Sequence, residues 1–399
     1  MSATFVRPFA QVLAGRQVEA PPILLGVTDS QTCLALKSRV RALRAAGFRV
    51  VLVSSPGKLL DETAAGEGVE RFAIPMHRKI APLADLISLA RLWLLLGRCR
   101  PCMVEFSTPK AGLLGSLAAW LRGVPSRVYM LRGLKLETAT GPKRTILLWA
   151  ERLAAACAHV VLCNSESLRA RALALRITRS AKLHLLGEGS SNGVDTERFR
   201  PGGTEVRERL GGPPGAPVVG FVGRLTGDKG VPELIEAFDR VLREQPGARL
   251  LLVGWFDAAE DALSEETRTR IESHPRIHCT GFVNDPAPYY RAMDVMVLPT
   301  WREGFPNVVL EAAATSVPVV TTFCTGARDS VVPEVTGVLI PPGDSAAISE
   351  AVLGLIGDPA RRRRMGEAAR LWVREHYLDE RVLGLTTAFY IALRASAAS

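Results

Sequence analysis

Short apolar runs alternate with amphipathic segments along the chain. Residues 23–27 form the first apolar run, and after a polar turn the apolar positions of residues 34–46 recur at helical spacing. Gly47 follows that segment, as glycine often follows a helix, and a second apolar run occupies residues 48–53. Strands that alternate with helices in this way are typical of a parallel sheet with helices on both faces.

The same alternation continues to residue 340, with one interruption. An Arg-Pro-Gly-Gly sequence at residues 200–203 indicates a connection, after which the pattern starts again with a helix predicted over residues 231–244. We therefore predict two doubly wound α/β domains, over residues 1–203 and 204–376, with ligands bound in the cleft between them. Further strands are expected at residues 102–106, 127–131, 159–163, 218–222, 249–253, 276–280, 295–298, 317–321 and 337–340.

The composition fits two globular domains, and the charge is unevenly distributed between them. Of the 399 residues, 47% are hydrophobic and 23% are charged, which is ordinary for a protein with a large core. Residues 1–200 carry 29 Lys and Arg against 14 Asp and Glu, whereas residues 201–399 carry 21 against 26. This asymmetry indicates that the N-terminal half meets an anionic partner, although a basic surface without a partner is the alternative.

Several patterns bear on the compartment and the kind of partner. The seven cysteines are odd in number and scattered, unlike the disulfide framework of a small secreted protein, so a cytoplasmic location is expected. Arg7, Pro8 and Arg16 interrupt the apolar positions at the N-terminus, which predicts no secretion signal. The four arginines at residues 361–364 follow a helix start, and we expect a solvated helix face there rather than a nucleic-acid site.

One glycine-containing loop places two carboxylates near a helix start. Residues 301–312 read Trp-Arg-Glu-Gly-Phe-Pro-Asn-Val-Val-Leu-Glu-Ala, directly after a strand, so Glu303 lies on the loop and Glu311 within the helix. Backbone N–H groups at the start of a helix can bind a phosphate, and carboxylates accept hydrogen bonds from sugar or ribose hydroxyls. On spacing alone, the favoured interpretation of the two glutamates is ordinary surface charge.

A second loop supplies cations. Residues 223–230 read Gly-Arg-Leu-Thr-Gly-Asp-Lys-Gly between a strand and a helix, so Arg224 and Lys229 lie beside glycine turns. Both side chains suit a diphosphate whose negative charge increases as a glycosidic bond breaks. The Gly-x-Gly-x-x-Gly pattern of dinucleotide-dependent dehydrogenases is absent from this position, which disfavours that class of enzyme.

Together, the element Gly223-Arg224…Lys229-Gly230 and the element Glu303-Gly304-Phe305-Pro306-Asn307…Glu311 resemble the C-terminal domain of family 4 glycosyltransferases. The resemblance implies the GT-B architecture, in which two Rossmann-like domains face a central cleft and a terminal helix, here residues 377–399, returns to the N-terminal domain. It also implies a retaining, metal-independent transfer from a nucleotide-diphosphate sugar, with UDP-hexose or UDP-N-acetylhexosamine as the expected donor. The chain contains no Asp-x-Asp motif, so neither a metal nor another cofactor is expected.

The resemblance assigns roles to the matching residues. It places Arg224 and Lys229 on the donor diphosphate, Glu303 on the donor sugar and Glu311 on the ribose, and it makes the first three catalytic. The nucleotide base would lie at Asn284, beside Asp285. The full set of predicted donor residues is Gly223, Arg224, Lys229, Asn284, Glu303, Gly304, Phe305, Pro306, Asn307, Val308 and Glu311.

The N-terminal half is similar to bacterial family 4 enzymes that build capsule, exopolysaccharide or O-antigen units on polyprenyl-diphosphate carriers. The segments that carry this similarity are residues 107–115, 132–138 and 187–195, and the resemblance extends from about residue 23 to 375. The predicted acceptor residues are Lys110, Arg132, Gly133 and Glu137. Helix packing for the glycine and solvation for the cations are the alternatives. The chain departs from many relatives at two places, with Arg132-Gly133 for His-Gly and Thr28-Asp29-Ser30 for a Gly-Gly pair.

Basic residues also surround an apolar segment in the N-terminal half. The segment at residues 83–97 has too few uninterrupted apolar residues to span a bilayer, which needs roughly 20, because Arg91 divides it. Its flanking cations are Arg78, Lys79, Arg98 and Arg100. We expect either a peripheral contact with an anionic cytoplasmic membrane surface or an amphipathic helix of the core.

Two other functions are compatible with these patterns. A GT-B sugar-nucleotide epimerase would bind the same donor without an acceptor, and a catalytically silent scaffold of a polysaccharide assembly complex would need neither reaction. The presence of Arg224, Lys229, Glu303 and Glu311 together favours an active glycosyltransferase over a silent scaffold.

Overall fold

The computed structural model describes residues 21–213, 215–258 and 261–398. Each half of the chain forms a parallel sheet covered by helices, so the predicted α/β architecture is confirmed. The helix predicted over residues 231–244 is also observed with those bounds. The residues that predict the absence of a secretion signal, Arg7, Pro8 and Arg16, lie outside the described part of the chain.

The N-terminal domain contains a seven-stranded sheet in the order β3-β2-β1-β4-β5-β6-β7. The order reverses between β1 and β4, which is the point where doubly wound sheets open a crevice for ligands. Its strands are β1 (Ile23–Gly26), β2 (Val50–Ser54), β3 (Glu70–Ala73), β4 (Met103–Ser107), β5 (Ser126–Leu131), β6 (Val160–Cys163) and β7 (Leu183–Leu185). Its helices are α1 (Lys37–Ala45), α2 (Lys58–Glu67), α3 (Pro82–Cys99), α4 (Pro109–Leu121), α5 (Gly141–Cys157) and α6 (Glu166–Ala174).

The C-terminal domain contains a six-stranded sheet in the order β10-β9-β8-β11-β12-β13. Its strands are β8 (Val218–Val222), β9 (Arg249–Val253), β10 (Ile277–Cys279), β11 (Val295–Leu298), β12 (Val319–Thr322) and β13 (Gly337–Ile340). The remaining helices are α7 (Val206–Arg209), α8 (Val231–Glu244), α9 (Glu265–Ser273), α10 (Ala287–Tyr290), α11 (Asn307–Ala314), α12 (Ser345–Gly357), α13 (Pro359–His376) and α14 (Asp379–Ala398). Short 3-10 turns occupy Ser30–Leu36, Lys135–Glu137, Ser180–Lys182, Gly227–Lys229 and Arg328–Ser330.

Alternate residues of the N-terminal strands pack against two different helix layers, because successive side chains of a strand point to opposite faces. Ile23 and Leu25 face α1, α2 and α14, whereas Leu24 faces α3 and α4. Helix α4 lies close to the sheet: a Cβ atom added at Gly112 would be 2.3 Å from the Tyr129 ring. Small residues therefore allow α4 to pack close to the sheet, between α3 and α5. Among the described residues, no helix is long and apolar enough to cross a bilayer.

The chain passes between the domains twice, at residues 193–203 and again near residue 378. The two crossings lie side by side, since the Val194 N–H donates to the Tyr377 carbonyl at 2.8 Å and the Asp379 N–H donates to the Val194 carbonyl at 3.2 Å. Gly193 permits this contact, because a Cβ at that position would be 2.7 Å from the Tyr377 carbonyl oxygen.

After the second crossing, α14 packs on the N-terminal domain through a buried polar cluster. The Tyr390 hydroxyl donates to Glu105 of β4, and Glu105 also forms a 2.7 Å ion pair with Arg39. Arg39 and Glu105 are each 1% exposed. Arg39 in turn donates to the Ser191 carbonyl at 2.6 Å, so the cluster joins α1, β4, α14 and the segment that directly precedes the first crossing.

Replacing Tyr390 by phenylalanine should destabilise the protein by about 2 kcal/mol, because it removes a buried hydrogen bond to a charged group. Urea unfolding monitored by circular dichroism would measure the change. Tyr289→Phe, a partly buried tyrosine of the C-terminal domain outside this cluster, is the matched control. Equal stability of the Tyr390→Phe variant and the wild type would show that the hydrogen bond does not hold α14 in place.

Candidate functional site

A cavity of about 180 Å³ lies between the two domains, where the strands of both sheets end. It brings together six residues predicted from the sequence: Arg132, Gly133, Arg224, Lys229, Glu303 and Gly304. The other lining residues are Thr108, Pro109, Tyr129, Leu134, Lys135, Asp228 and Arg302. A larger cavity of about 510 Å³ lies beside the interdomain connection at residues 202–216, and none of the predicted site residues lines it.

Glycines bring the two predicted donor loops into contact. The loop after β8 enters α8 through Gly230, whose φ of +72° suits glycine, and a Cβ there would be 2.0 Å from the Pro299 carbonyl oxygen. Because β8 and β11 are neighbours in the sheet, their loops meet at one edge. The result is an ion pair of 2.5 Å between Lys229 Nζ and Glu303 Oε1, with the two side chains 16% and 15% exposed.

Two other cations of the cavity, Arg224 and Arg302, are also paired with carboxylates. Arg224 lies 2.8 Å from Asp257 and 3.8 Å from Asp228. Arg302 lies 2.8 Å from Asp228. Burial alone would raise the pKa of Asp228, but Lys229 and Arg302 hold it below its ordinary value. A diphosphate that binds Lys229, Arg224 and Arg302 would therefore replace their carboxylate partners.

Several charged residues around the cavity carry no prediction from the sequence, among them Arg302, Asp228 and Asp257. Arg302 and Asp228 directly adjoin the predicted Glu303 and Lys229, and that proximity is the signal that could have identified them. Asp257 follows β9 without a recognisable motif. It joins the domains, because Arg78 of the N-terminal domain also contacts it at 2.9 Å.

Backbone contacts between glycines close the cleft at Glu303. A Cβ at Gly304 would be 2.4 Å from the Arg132 carbonyl, and a Cβ at Gly133, where φ is +121°, would be 3.2 Å from the Gly304 nitrogen. On the other side, a Cβ at Gly326 would be 2.4 Å from the Gly304 carbonyl oxygen. The loop that carries Glu303 is thus held between backbone segments of both domains.

Side chains add further contacts across the cleft. The Arg302 guanidinium donates to the Thr138 hydroxyl at 2.9 Å, and the Ser190 hydroxyl lies 3.0 Å from Asn307 Oδ1. Asn307 begins α11, whose first N–H groups have no acceptor within the helix. Phe305 packs on the Tyr377 ring with centroids 5.3 Å apart, so the predicted donor loop also touches the second crossing of the chain.

Glu311 lies within α11, away from the Lys229 and Glu303 pair. Burial raises the pKa of Glu311 to about 7, and the Tyr290 hydroxyl, which donates to it at 2.8 Å, opposes that shift. Arg198 and Asp285 are close enough to affect the same carboxyl group. Arg198 also lies 3.4 Å from the Asn284 carbonyl, so the residues predicted for the ribose and the base belong to one neighbourhood.

Of the four predicted acceptor residues, only Arg132 and Gly133 line the cavity. Lys110 is directed to Asp85 at 2.5 Å, and Glu137 accepts hydrogen bonds from Thr325 at 2.8 Å and from Arg171 at 3.1 Å. Glu137 therefore forms a contact between the domains in this structure, because its 3-10 turn faces the loop after β12.

Arg132 has an unusual environment for a cation. Its Nη1 atom donates to the Ser191 hydroxyl at 3.1 Å, while Nε and Nη2 are buried without a hydrogen-bond partner among the described residues. Burial and the nearby Arg39 lower the pKa of Arg132 to about 10, so it remains charged at neutral pH. Glu105 is already paired with Arg39 and therefore does not form an ion pair with Arg132. The Arg132 charge thus makes the end of β5 suited to binding an anion.

Comparison with known proteins identifies matches to both halves of the chain. The profile described as "Glycosyl transferases group 1" matches residues 216–358, and the profile described as "Glycosyl transferase 4-like domain" matches residues 35–189. The chain is 36% identical to the capsular polysaccharide biosynthesis glycosyltransferase CapM of Staphylococcus aureus, over 89% of this chain and 92% of that protein.

Two further proteins extend the comparison. The UDP-Gal:alpha-D-GlcNAc-diphosphoundecaprenol alpha-1,3-galactosyltransferase of Escherichia coli is 28% identical over 73% of this chain and 76% of its own length. Among solved structures, Anabaena HepE in complex with UDP and glucose superimposes with a TM-score of 0.74. That match covers 94% of this chain and 99% of HepE at 20% sequence identity, so it concerns the fold.

Proposed function

Because this chain belongs to the family 4 glycosyltransferases and has their GT-B fold, we propose that it transfers a hexose or N-acetylhexosamine from a UDP-sugar to a polyprenyl-diphosphate-linked saccharide. The reaction would retain the anomeric configuration and serve the synthesis of a capsule or a related surface polysaccharide. The observation that carries the proposal is the Lys229 and Glu303 pair beside Arg224 in the interdomain cavity. The names of CapM and of the E. coli galactosyltransferase support this pathway and this kind of acceptor.

The donor would rearrange the ion pairs of the cavity. Its diphosphate would take Lys229 from Glu303 and share Arg224 with Asp257, since phosphate oxygens compete with carboxylates for the same cations. Glu303, released from Lys229, would then accept hydrogen bonds from hydroxyls of the donor sugar. Lys229 and Arg224 would stabilise the charge that the diphosphate acquires as the glycosidic bond breaks.

Retention would follow from attack on the same face of the sugar. The bond from the anomeric carbon to the diphosphate oxygen breaks, the bond to the acceptor hydroxyl oxygen forms, and the acceptor proton passes to the departing diphosphate. This route suits a cavity whose carboxylates are engaged with cations rather than available as nucleophiles. We propose that no metal or cofactor takes part, so that addition of EDTA should leave the transfer rate unchanged.

The acceptor would enter from the N-terminal side of the cavity. The uncompensated charge of Arg132 suits a phosphate of the lipid carrier, and the excess of cations in residues 1–200 suits a location on the inner, anionic face of the cell membrane. We place the protein in the cytoplasm with a peripheral contact to that membrane.

A transfer assay would test the proposal directly. The purified protein would be incubated in detergent with radiolabelled UDP-sugars and polyprenyl-diphosphate-linked saccharides, and the product would be extracted and its anomeric configuration determined by NMR. A radiolabelled glycolipid that keeps the donor configuration is expected. Release of UDP without a glycolipid, or interconversion of the UDP-sugar without an acceptor, would contradict the proposal; the second result would indicate an epimerase.

The donor affinity should decrease as the pH falls through about 7, because protonated Glu311 cannot accept hydrogen bonds from both ribose hydroxyls. Donor KM measured across neutral pH would show an inflection near the Glu311 pKa. Glu311→Gln should remove the inflection, and Tyr290→Phe should move it to higher pH, because the tyrosine hydroxyl lowers that pKa. A wild-type KM that is constant across neutral pH would contradict the assignment.

A further inference from the structure

Helix α3 exposes a row of large apolar side chains on the face opposite the sheet. It buries Leu92, Leu95 and Leu96 in the core. The exposed side chains recur at helical spacing, and they are Leu83 (79% exposed), Leu86 (62%), Ile87 (55%) and Leu94 (50%). A core helix would leave polar residues on this outer face, so α3 combines the two alternatives that its sequence suggests: one face packs in the core and the other presents apolar side chains to the surroundings.

Helix α5 carries a similar row. Ile146, Trp149 and Leu153 are exposed at 52%, 62% and 44%, whereas Ala154 and Ala155 are buried. Between the two helices, α4 lies close to the sheet and exposes large apolar side chains only near its end, at Trp120 and Leu121. The rows on α3 and α5 therefore belong to one outer face of the domain, called here the α3–α5 face.

One end of the α3–α5 face lies at the same edge of the sheet as the cavity. In a parallel sheet, a helix that follows a strand starts at the edge where the strand ends, and α3, α4 and α5 follow β3, β4 and β5 in this way. The cavity lies at the same edge, where Thr108 and Pro109 at the start of α4 line it. Leu83 and Leu86 on α3 and Ile146 on α5 are thus at the cavity end of the face.

The charges on the α3–α5 face have one sign. The exposed charged residues of α3 are Arg91 and Arg98, and those of the first turn of α5 are Lys143 and Arg144. The two acidic residues of these helices are withdrawn from the surface. Asp85 is paired with Lys110, and buried Glu151 accepts a 2.6 Å hydrogen bond from Tyr129.

We propose that the α3–α5 face rests on an anionic lipid bilayer, with its leucines, isoleucines and tryptophans among the lipid headgroups and its cations on lipid phosphates. Apolar side chains surrounded by cations are the combination that binds such a surface. The inference deepens the proposed function and rests on it for one point: a carrier lipid in that bilayer would present its diphosphate at the cavity end of the face. A protein partner would be expected to offer acidic side chains as well, and a second copy would bring cations against cations.

Vesicle flotation would test the proposal. The wild-type protein should float with vesicles of phosphatidylcholine and phosphatidylglycerol and not with phosphatidylcholine alone, and the binding should weaken with salt. The double variant Leu86→Glu/Trp149→Glu should bind the anionic vesicles at least about tenfold more weakly. Leu371→Glu, at a 66% exposed position on α13 of the C-terminal domain, is the matched control and should bind like the wild type.

Two measurements keep the outcome interpretable. Brominated phospholipids should quench the tryptophan fluorescence of the folded wild type, and Trp149→Phe should remove part of that quenching. The double variant should still transfer sugar to an acceptor dissolved in detergent, which separates a failure of docking from a failure of the proposed function. Equal flotation of the wild type and the double variant would overturn the proposal, as would a wild-type dimer that the double variant dissociates.

Discussion

Replacing Lys229 by alanine should lower kcat for sugar transfer by about 10²- to 10³-fold, which is the usual cost of removing one preorganised group that stabilises developing negative charge. The lysine is held 2.5 Å from Glu303 in the cavity, so it is already positioned at the place where the donor diphosphate is proposed to bind. The loss should appear in kcat as well as in KM, because the charge on the leaving diphosphate is greatest in the transition state. Initial rates with varied UDP-sugar would separate the two constants.

The control is a cation of the same domain outside the cavity. Arg240 pairs with Glu236 on the surface of α8, and Arg240→Ala should retain wild-type kinetics. Lys229→Arg should recover part of the lost activity, since it restores the charge with a different shape. If Lys229→Ala remained fully active, the assignment of the donor diphosphate to this loop would be wrong.

Gly304→Ala should lower kcat by about a hundredfold while leaving each domain folded. The added Cβ would lie 2.4 Å from the Arg132 carbonyl, which is backbone of the opposite domain and cannot turn away as a side chain would. The cleft would have to open by about 1 Å to restore an ordinary contact distance, and a displacement of that order at a reacting centre costs about a hundredfold in rate. Transfer rates combined with thermal unfolding would measure the two effects separately.

A glycine on an open helix surface provides the comparison for this substitution. Gly66 in α2 has nothing within 4 Å of an added Cβ, so Gly66→Ala should leave kcat unchanged and stabilise the helix slightly. Gly133→Ala should resemble Gly304→Ala, because it meets the same contact from the other side. Wild-type activity in both cleft variants would show that the domains do not need this approach for catalysis.

The sequence predicts the parts of the site that are local in the chain. Each donor loop can be placed at a strand end from glycines, apolar runs and a following helix, and α8 is observed with its predicted bounds. The contact between Lys229 and Glu303 joins residues 74 positions apart. It depends on β8 and β11 being neighbours, which no local pattern specifies.

Contacts between the domains are the part that the sequence does not predict. Glu137 has the expected type for an acceptor site, but its partner Thr325 lies on the opposite domain. Packing of helices within the N-terminal domain is equally invisible in the sequence, and it directs Lys110 to Asp85. Asp257 carries no motif, and its contact with Arg78 exists only when the two domains face each other. Apolar periodicity likewise could not tell whether α3 is a core helix or a surface helix, because both of its faces are apolar.

The paired crossings near Val194 and Leu378 restrict how the enzyme can open. A single flexible linker would allow one domain to swing and twist freely relative to the other. Two hydrogen-bonded segments form a hinge instead: they allow rotation about the axis between them and resist twisting of one domain against the other. Opening along that axis would separate the glycine contact at Gly304 without changing its alignment, so each closure would return Glu303 to the same place between the domains.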